Sequence, residues 1–160
     1  MLLRILIADD HTVLRTTLKT VLETHAGWQV CGEAANGLEA VQKAAELKPD
    51  VIILDLAMPK LDGLQAASQI STAFPHLPIL IYTNYTLPRE AKLEARKHGV
   101  RQVINKGAAP DLLVKALVAL QNDKLRDSAL VTPLRQRRND SMRSTDGAPS
   151  TVRNGQERQP

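Results

Sequence analysis

The sequence predicts an α/β fold, a five-stranded parallel sheet with helices on both faces, and three observations carry that prediction. Short apolar runs rich in Val, Ile and Leu alternate with helical patterns from the N-terminus to about residue 123, which is the pattern of βα units on a parallel sheet. Several runs end in chemically pointed residues: Asp9-Asp10 after Ile5-Leu6-Ile7-Ala8, Asp55 after Val51-Ile52-Ile53-Leu54, and Lys106 after Val103-Ile104-Asn105. Periodicity then fails from about Leu125 onward. Ligands of open α/β sheets lie beyond the carboxyl ends of the strands, so the three carboxylates and the lysine are predicted to meet along one edge.

Each element can be read in order. Strand one covers Leu3 to Ala8, and Leu14, Leu18, Val21, Leu22 and His25 then share one helical face. Strand two runs from Trp28 to Ala34, and Asn36-Gly37 turns into a helix carrying Leu38, Val41 and Ala45. Strand three is Val51 to Asp55. A loop from Met58 to Gly63 leads to a helix through about Phe74, with Asp62 as its cap and Gln65 at the capping-box position. Strand four is Pro78 to Thr83, a helix from about Pro88 to His98 is stopped by Gly99, and strand five is Val100 to Asn105. The last helix begins near Pro110 with a core face of Leu113, Ala116, Leu117 and Leu120; Val114 and Val118 widen its apolar arc into a candidate homodimer surface.

At 160 residues with 43% hydrophobic content the chain can bury one domain-sized core. The N-terminal apolar run is too short for a signal peptide or a membrane span, which predicts a cytoplasmic protein without a membrane partner. Cys31 is the single cysteine, so no internal disulfide and no thiolate cluster is possible; it is expected as a small apolar residue of a buried strand. Of 21 basic and 17 acidic side chains, 13 of each fall in residues 1–123, leaving 8 and 4 in residues 124–160. The domain is therefore neutral and its tail basic. Residues 124–160, rich in Arg, Ser, Thr, Asn, Gln, Gly and Pro, are expected to be disordered. They hold too few apolar residues for a helix-turn-helix, so DNA binding is not expected, although the cluster Arg135-Gln136-Arg137-Arg138 leaves a tail-mediated contact with nucleic acid as an alternative.

The residues at the strand ends point to phosphoryl chemistry. Asp9, Asp10 and Asp55 would repel one another within a few ångströms, and a divalent cation relieves that crowding. Hard oxygen ligands without a His or Cys pair at ligand spacing suit Mg²⁺ better than zinc. Asp55 is then placed to attack phosphorus in line and become an aspartyl phosphate. Lys106 would hold one phosphoryl oxygen, and Thr83 would offer its hydroxyl to another. Each residue has a plainer reading too: Asp9 and Asp10 as helix caps, Asp55 as a turn residue before Pro59, Thr83 as a strand residue, Lys106 as a surface lysine. Four strand ends agreeing on one chemistry outweigh those separate readings.

The segments ILIADDH, DVIILDLAMPKLDG, ILIYTN and VINKG resemble the receiver domain of response regulators in two-component signalling, over roughly residues 1 to 123. The resemblance implies a flavodoxin-like (βα)5 receiver with strand order 2-1-3-4-5. It also implies Asp55 as phosphoacceptor, with Thr83 and Lys106 at the phosphoryl group. Direct Mg²⁺ ligands would be Asp10, Asp55 and the Ala57 carbonyl, and Asp9 would act through water. The implied partners are a sensor histidine kinase or phosphotransfer protein and a downstream output protein. The wording ADDHTVL is similar to regulators that usually end in a helix-turn-helix, and the expectation here is a stand-alone receiver with its output in another chain. Its only catalysis would be its own phosphorylation and dephosphorylation.

Two positions depart from the family's pattern. Val103 stands where an aromatic residue is common three before the lysine, which puts the usual switch in question, and Tyr82 and Tyr85 flank Thr83 as substitutes or as packing residues. Gly107 follows the lysine where many relatives carry proline. Two other α/β readings fit less well. An aspartyl-phosphate phosphohydrolase resembling the haloacid-dehalogenase group needs a second Asp where Ala57 stands. A flavin-binding domain needs a phosphate-cradling loop where Asp9-Asp10 would repel phosphate.

Overall fold

The computed structural model describes residues 2–109 and 111–140, with side chains through residue 126. Five strands and five helices alternate: β1 (Leu3–Ala8), α1 (Thr12–Glu23), β2 (Trp28–Ala34), α2 (Gly37–Leu47), β3 (Val51–Leu54), α3 (Gly63–Ala73), β4 (Ile79–Thr83), α4 (Arg89–Lys97), β5 (Val100–Asn105) and α5 (Asp111–Asp140). The strands form one parallel sheet in the order β2-β1-β3-β4-β5. Every expected element is present. Strand three stops one residue early, at Leu54, and strand four starts one residue late, at Ile79.

A strand's successive side chains point to opposite faces, and the two faces carry separate cores. Leu6, Ala8, Ile52, Leu54, Ile79 and Ile81 pack with α2 and α3 through Ala40, Ala44, Ala66, Ala67 and Ile70. Leu3, Ile5, Ile7, Val51, Ile53 and Leu80 pack with α1 and α5 through Leu18, Leu22, Leu113, Ala116 and Leu117. β3 is buried along its whole length, as a central parallel strand covered on both faces should be.

Helix faces depart from the sequence reading in detail. On α2 the buried residues are Gly37, Ala40 and Ala44, while Leu38 and Ala45 are exposed and Val41 is half-buried. Small residues let the helix lie close to the sheet, and a pattern keyed to large apolar residues misses a face made of alanine and glycine. Val21 is likewise exposed, and Cys31 is only half-buried, its thiol donating to the Ile5 carbonyl at 3.4 Å.

The caps follow the sequence more closely. The Asp62 side chain accepts from Gln65 N–H at 2.9 Å and the Gln65 side chain reaches back to Asp62 N–H, completing the capping box on α3. Asn36 caps α2 through Glu39 N–H at 2.9 Å. α1 begins instead at His11 with no side-chain cap.

Two units divide the chain, Met1–Asp123 and Lys124–Pro160, and the sheet lies in the first. The expectation of disorder beginning near Leu125 is corrected for its first part, since α5 is helical through Asp140. Residues 111–140 contain no glycine and are rich in Leu and Arg, with several Ala. Leu, Ala and Arg favour helix there, Pro133 opposes it, and apolar periodicity gives no sign of the extension. The remainder of the predicted tail, 141–160, lies outside the described residues, as do Pro110 and the side chains of the Arg135–Arg138 cluster. Among the described residues no helix is long and apolar enough to cross a membrane.

Candidate functional site

Each site residue stands where a strand gives way to its loop. Asp9 follows β1, and its N–H donates to the Ala34 carbonyl of β2 at 3.0 Å; Asp55 follows β3, and its N–H donates to the Ala8 carbonyl of β1 at 2.8 Å. Ladder hydrogen bonds thus continue one residue past the strands and hold both carboxylates on neighbouring strand ends. Asp9 is 2% exposed and Asp55 is 6% exposed, and a buried charge is tolerated only when paired and hydrogen-bonded.

Lys106 does the pairing. Its Nζ lies 2.5 Å from Asp9 Oδ2 and 3.0 Å from Asp55 Oδ2. Asp9 Oδ1 accepts from His11 N–H at 2.8 Å, and Asp55 Oδ1 from Leu56 N–H at 2.7 Å. All four carboxylate oxygens therefore have a donor. Burial alone would push the Lys106 pKa down, but the hydrogen bonds and charges of Asp9 and Asp55 outweigh it and raise the value above normal. The lysine is held as an ammonium.

Asp10 is exposed, yet the carboxylate oxygens of Asp9, Asp10 and Asp55 come within 4.8 Å of one another. A donor set of three carboxylates with no imidazole or thiolate fits a hard divalent cation of the Mg²⁺ class. The helix-cap reading of the acidic pair is not what the geometry shows: the N-cap of α1 is His11, and Asp9 turns its carboxylate to the His11 N–H rather than into the helix.

Thr83, the last residue of β4, is fully buried, and its hydroxyl oxygen accepts from Tyr85 N–H at 3.3 Å. Lys106 N–H donates to the Thr83 carbonyl at 2.9 Å, which ties the end of β5 to the end of β4. Ala57 is exposed in the loop after β3. Tyr82 is half-buried in the core shared with α1 and α5, and Val103 packs against the opposite core. Burial raises the Tyr82 phenol pKa; Lys106 lowers it and Asp9 raises it by smaller amounts. Tyr85 is 62% exposed. Tyr82 is thus a packing residue, and Tyr85 the exposed one of the pair.

Sequence reasoning missed the residues that support this site from behind. A Cβ at Gly63 would lie 2.1 Å from the Asp55 carbonyl oxygen, so only glycine lets the first turn of α3 close on the strand end that carries Asp55. Gly37 stands in the same way against the Leu61 carbonyl, 2.1 Å from where its Cβ would be. A weak helix former placed directly after an N-cap was the readable signal in both Asp62-Gly63 and Asn36-Gly37. Arg15 and Glu33, which meet beside Asp9 at 3.6 Å, had no such signal, because no local spacing rule links residues on a helix and on the next strand.

A family model described as the response regulator receiver domain matches residues 5–118. CheY, a chemotaxis protein of Thermotoga maritima, is 39% identical over 115 residues, covering 71% of this chain and 93% of that protein. The uncharacterized transcriptional regulatory protein YhcZ of Bacillus subtilis is 39% identical over 113 residues, again 71% of this chain but 52% of YhcZ. The chain thus spans about half the length of YhcZ. Among solved structures, the isolated REC domain of RcsB from Salmonella enterica serovar Typhimurium, determined in the presence of the phosphomimetic BeF3-, superposes with a TM-score of 0.69 at 30% identity, covering 76% of this chain and 90% of that one.

Proposed function

The chain belongs to the response regulator receiver family, and from that premise we propose that it accepts a phosphoryl group on Asp55 in a Mg²⁺-dependent reaction and uses the change to switch a protein–protein interaction. One observation carries the reading: Lys106 bridges the buried carboxylates of Asp9 and Asp55 at the carboxyl edge of the sheet, beside an exposed third carboxylate.

Asp55 is the nucleophile. One of its oxygens forms a bond to phosphorus as the bond from phosphorus to the donor's leaving group breaks, the leaving group keeping the electron pair. An ammonium has three N–H donors, and Lys106 uses two of them on Asp9 and Asp55; the third is open for a phosphoryl oxygen. Thr83 turns its hydroxyl toward another phosphoryl oxygen, exchanging the contact with Tyr85 N–H. Asp10, Asp55 and the Ala57 carbonyl would hold Mg²⁺ directly, with Asp9 acting through water. When bound, that ion lowers the repulsion between an anionic nucleophile and an anionic phosphoryl donor.

The donor is a sensor histidine kinase or phosphotransfer protein, the receiver of the state change is an output protein or domain, and the setting is the cytoplasm. The isolated REC domain of RcsB, solved in the presence of a phosphomimetic, supports phosphoryl chemistry at this fold. We infer no catalysis beyond the chain's own phosphorylation and dephosphorylation, since Ala57 offers no general acid two residues after Asp55.

Incubation with acetyl phosphate and Mg²⁺, followed by intact-mass measurement, tests this. The wild-type chain should gain one phosphoryl group and Asp55→Asn none. Equal labelling of Asp55→Asn would remove Asp55 from its role. No labelling of the wild type would remove the reading itself.

A further inference from the structure

Asp10 reaches the carboxylate cluster from an exposed position, so the backbone that carries it bears on where its carboxylate sits. The peptide joining Asp9 to Asp10 presents the Asp9 carbonyl, and that carbonyl accepts from the Arg15 guanidinium at 2.5 Å. The same guanidinium reaches Thr12 Oγ1 at 3.4 Å and places its Nε 3.6 Å from Glu33 Oε2 on β2. Arg15 is largely buried, at 12% side-chain exposure, and its Nε has no hydrogen-bond partner other than this ion pair. Glu33 is fixed in turn: its backbone pairs in register with Ile7, its carbonyl accepts from Lys43 Nζ, and its other carboxylate oxygen is 3.6 Å from Lys19 Nζ.

Apart from Arg15, the turn between β1 and α1 is held by the Asp9 N–H bond to Ala34, the His11 N–H bond to Asp9 Oδ1 and the Lys106 Nζ bond to Asp9 Oδ2. The His11 bond closes a ring around the Asp9–Asp10 peptide, and Arg15 is the side chain that holds the Asp9 carbonyl itself. α1 adds no side-chain cap bond of its own at His11.

We propose that Arg15, anchored by Glu33, is a positioning residue that fixes the Asp9–Asp10 peptide and thereby sets the affinity of the acidic cluster for Mg²⁺. The proposal rests on the phosphoacceptor reading and adds a residue pair to it. Arg15 touches no reacting atom and acts through Asp10. Groups that orient metal ligands from behind control affinity because a ligand held in place loses less freedom on binding.

Calorimetric titration of the unphosphorylated chain with Mg²⁺ alone tests it. Arg15→Ala should weaken binding about tenfold, the lower end of the effect of losing such a support. Arg15→Lys should recover part of the loss, since one charged donor remains while the planar fork that spans Asp9 and Glu33 is gone. Glu33→Gln should weaken binding less, and the double variant should match Arg15→Ala alone, because the two residues act as one unit. Trp28→Phe loses the indole hydrogen bond to Gln121 at the opposite end of the sheet. It should lower the melting temperature and leave Mg²⁺ affinity unchanged, which separates positioning from general loosening. A folded Arg15→Ala or Arg15→Lys with wild-type affinity overturns the proposal alone, as does an equal loss in Trp28→Phe. A wild-type chain that takes up no Mg²⁺ overturns the phosphoacceptor reading and this proposal with it.

Discussion

Asp9 and Asp55 leave β1 and β3 with all four carboxylate oxygens accepting hydrogen bonds, and the helix behind Asp55 presses its first glycine against the strand end. Thr83 leaves β4 into a loop whose Tyr85 is 62% exposed, and α4 beyond it buries Ala95 alone. α3 has a capping box and buries Gly63, Ala66, Ala67 and Ile70; α4 has Pro88 at its N-cap, no side-chain cap bond, and Leu93 at 51% exposure. The Glu94–Lys97 pair on α4 is exposed, and such pairs add little. One half of the sheet edge is built to hold charge still. The other half is attached by few buried contacts, the condition under which a segment moves at low free-energy cost.

The largest effect should come from removing the charge that joins the two halves. Lys106→Met leaves Asp9 and Asp55 facing each other without a cation, and loss of one partner from a buried ionic cluster costs about 3 kcal/mol. Melting should fall accordingly in the absence of Mg²⁺, be partly restored by Mg²⁺, and labelling by acetyl phosphate should be severely slowed. A melting curve unchanged without Mg²⁺ would show that the bridge contributes nothing.

Gly63→Ala should follow. The new Cβ meets backbone, not a flexible side chain, so α3 must shift away from Asp55, at a cost of about 2 kcal/mol for overpacking. Alanine at Leu93, on the loosely attached half, should be nearly neutral in the same melts. Equal effects would erase the difference between the halves.

A third expectation concerns alkaline pH. The folded pKa of Lys106 is above the ordinary 10.5, so the ionic bridge contributes its full stabilisation below that ordinary value and loses it as pH rises through the folded value. Above pH 10.5 the wild type should lose stability more steeply than Lys106→Met. Parallel curves would contradict the raised value.

Smaller still is the effect on phosphoryl lifetime. Ala57 and Tyr85 stand two residues beyond Asp55 and Thr83, and neither offers a carboxylate or amide to orient attacking water. Self-dephosphorylation should be slow, and Ala57→Asn or Tyr85→Glu should accelerate it severalfold. Time courses of phosphate loss by intact mass decide this, and unchanged rates in both variants would place water's approach elsewhere.

The strands, their ends and the α3 capping box were legible because they rest on local rules: apolar runs, a polar stop and an N-cap three residues before its partner; the strand order came from the family resemblance alone. The cluster of Asp9, Asp10 and Asp55 followed from the geometry of parallel strands. The bridge that Lys106 makes between two carboxylates did not, since lysine's reach depends on side-chain conformation rather than spacing. The face of α2 is hard to read because alanine and glycine carry no strong hydrophobic signal, and the length of α5 because the helix continues past its apolar stripe and through Pro133. Arg15 and Glu33 are 18 positions apart, and their meeting is a property of packing alone.

The contrast between the two halves is tested most directly by hydrogen exchange with Mg²⁺, in the presence and absence of beryllofluoride. Amides of Asp9, Asp55 and the start of α3 should change little, while those from Thr83 to Leu87 and the first turn of α4 should change most, because that is where the fold holds itself least. Unchanged protection in that loop, with differences confined to the neighbourhood of Val103, would contradict the account.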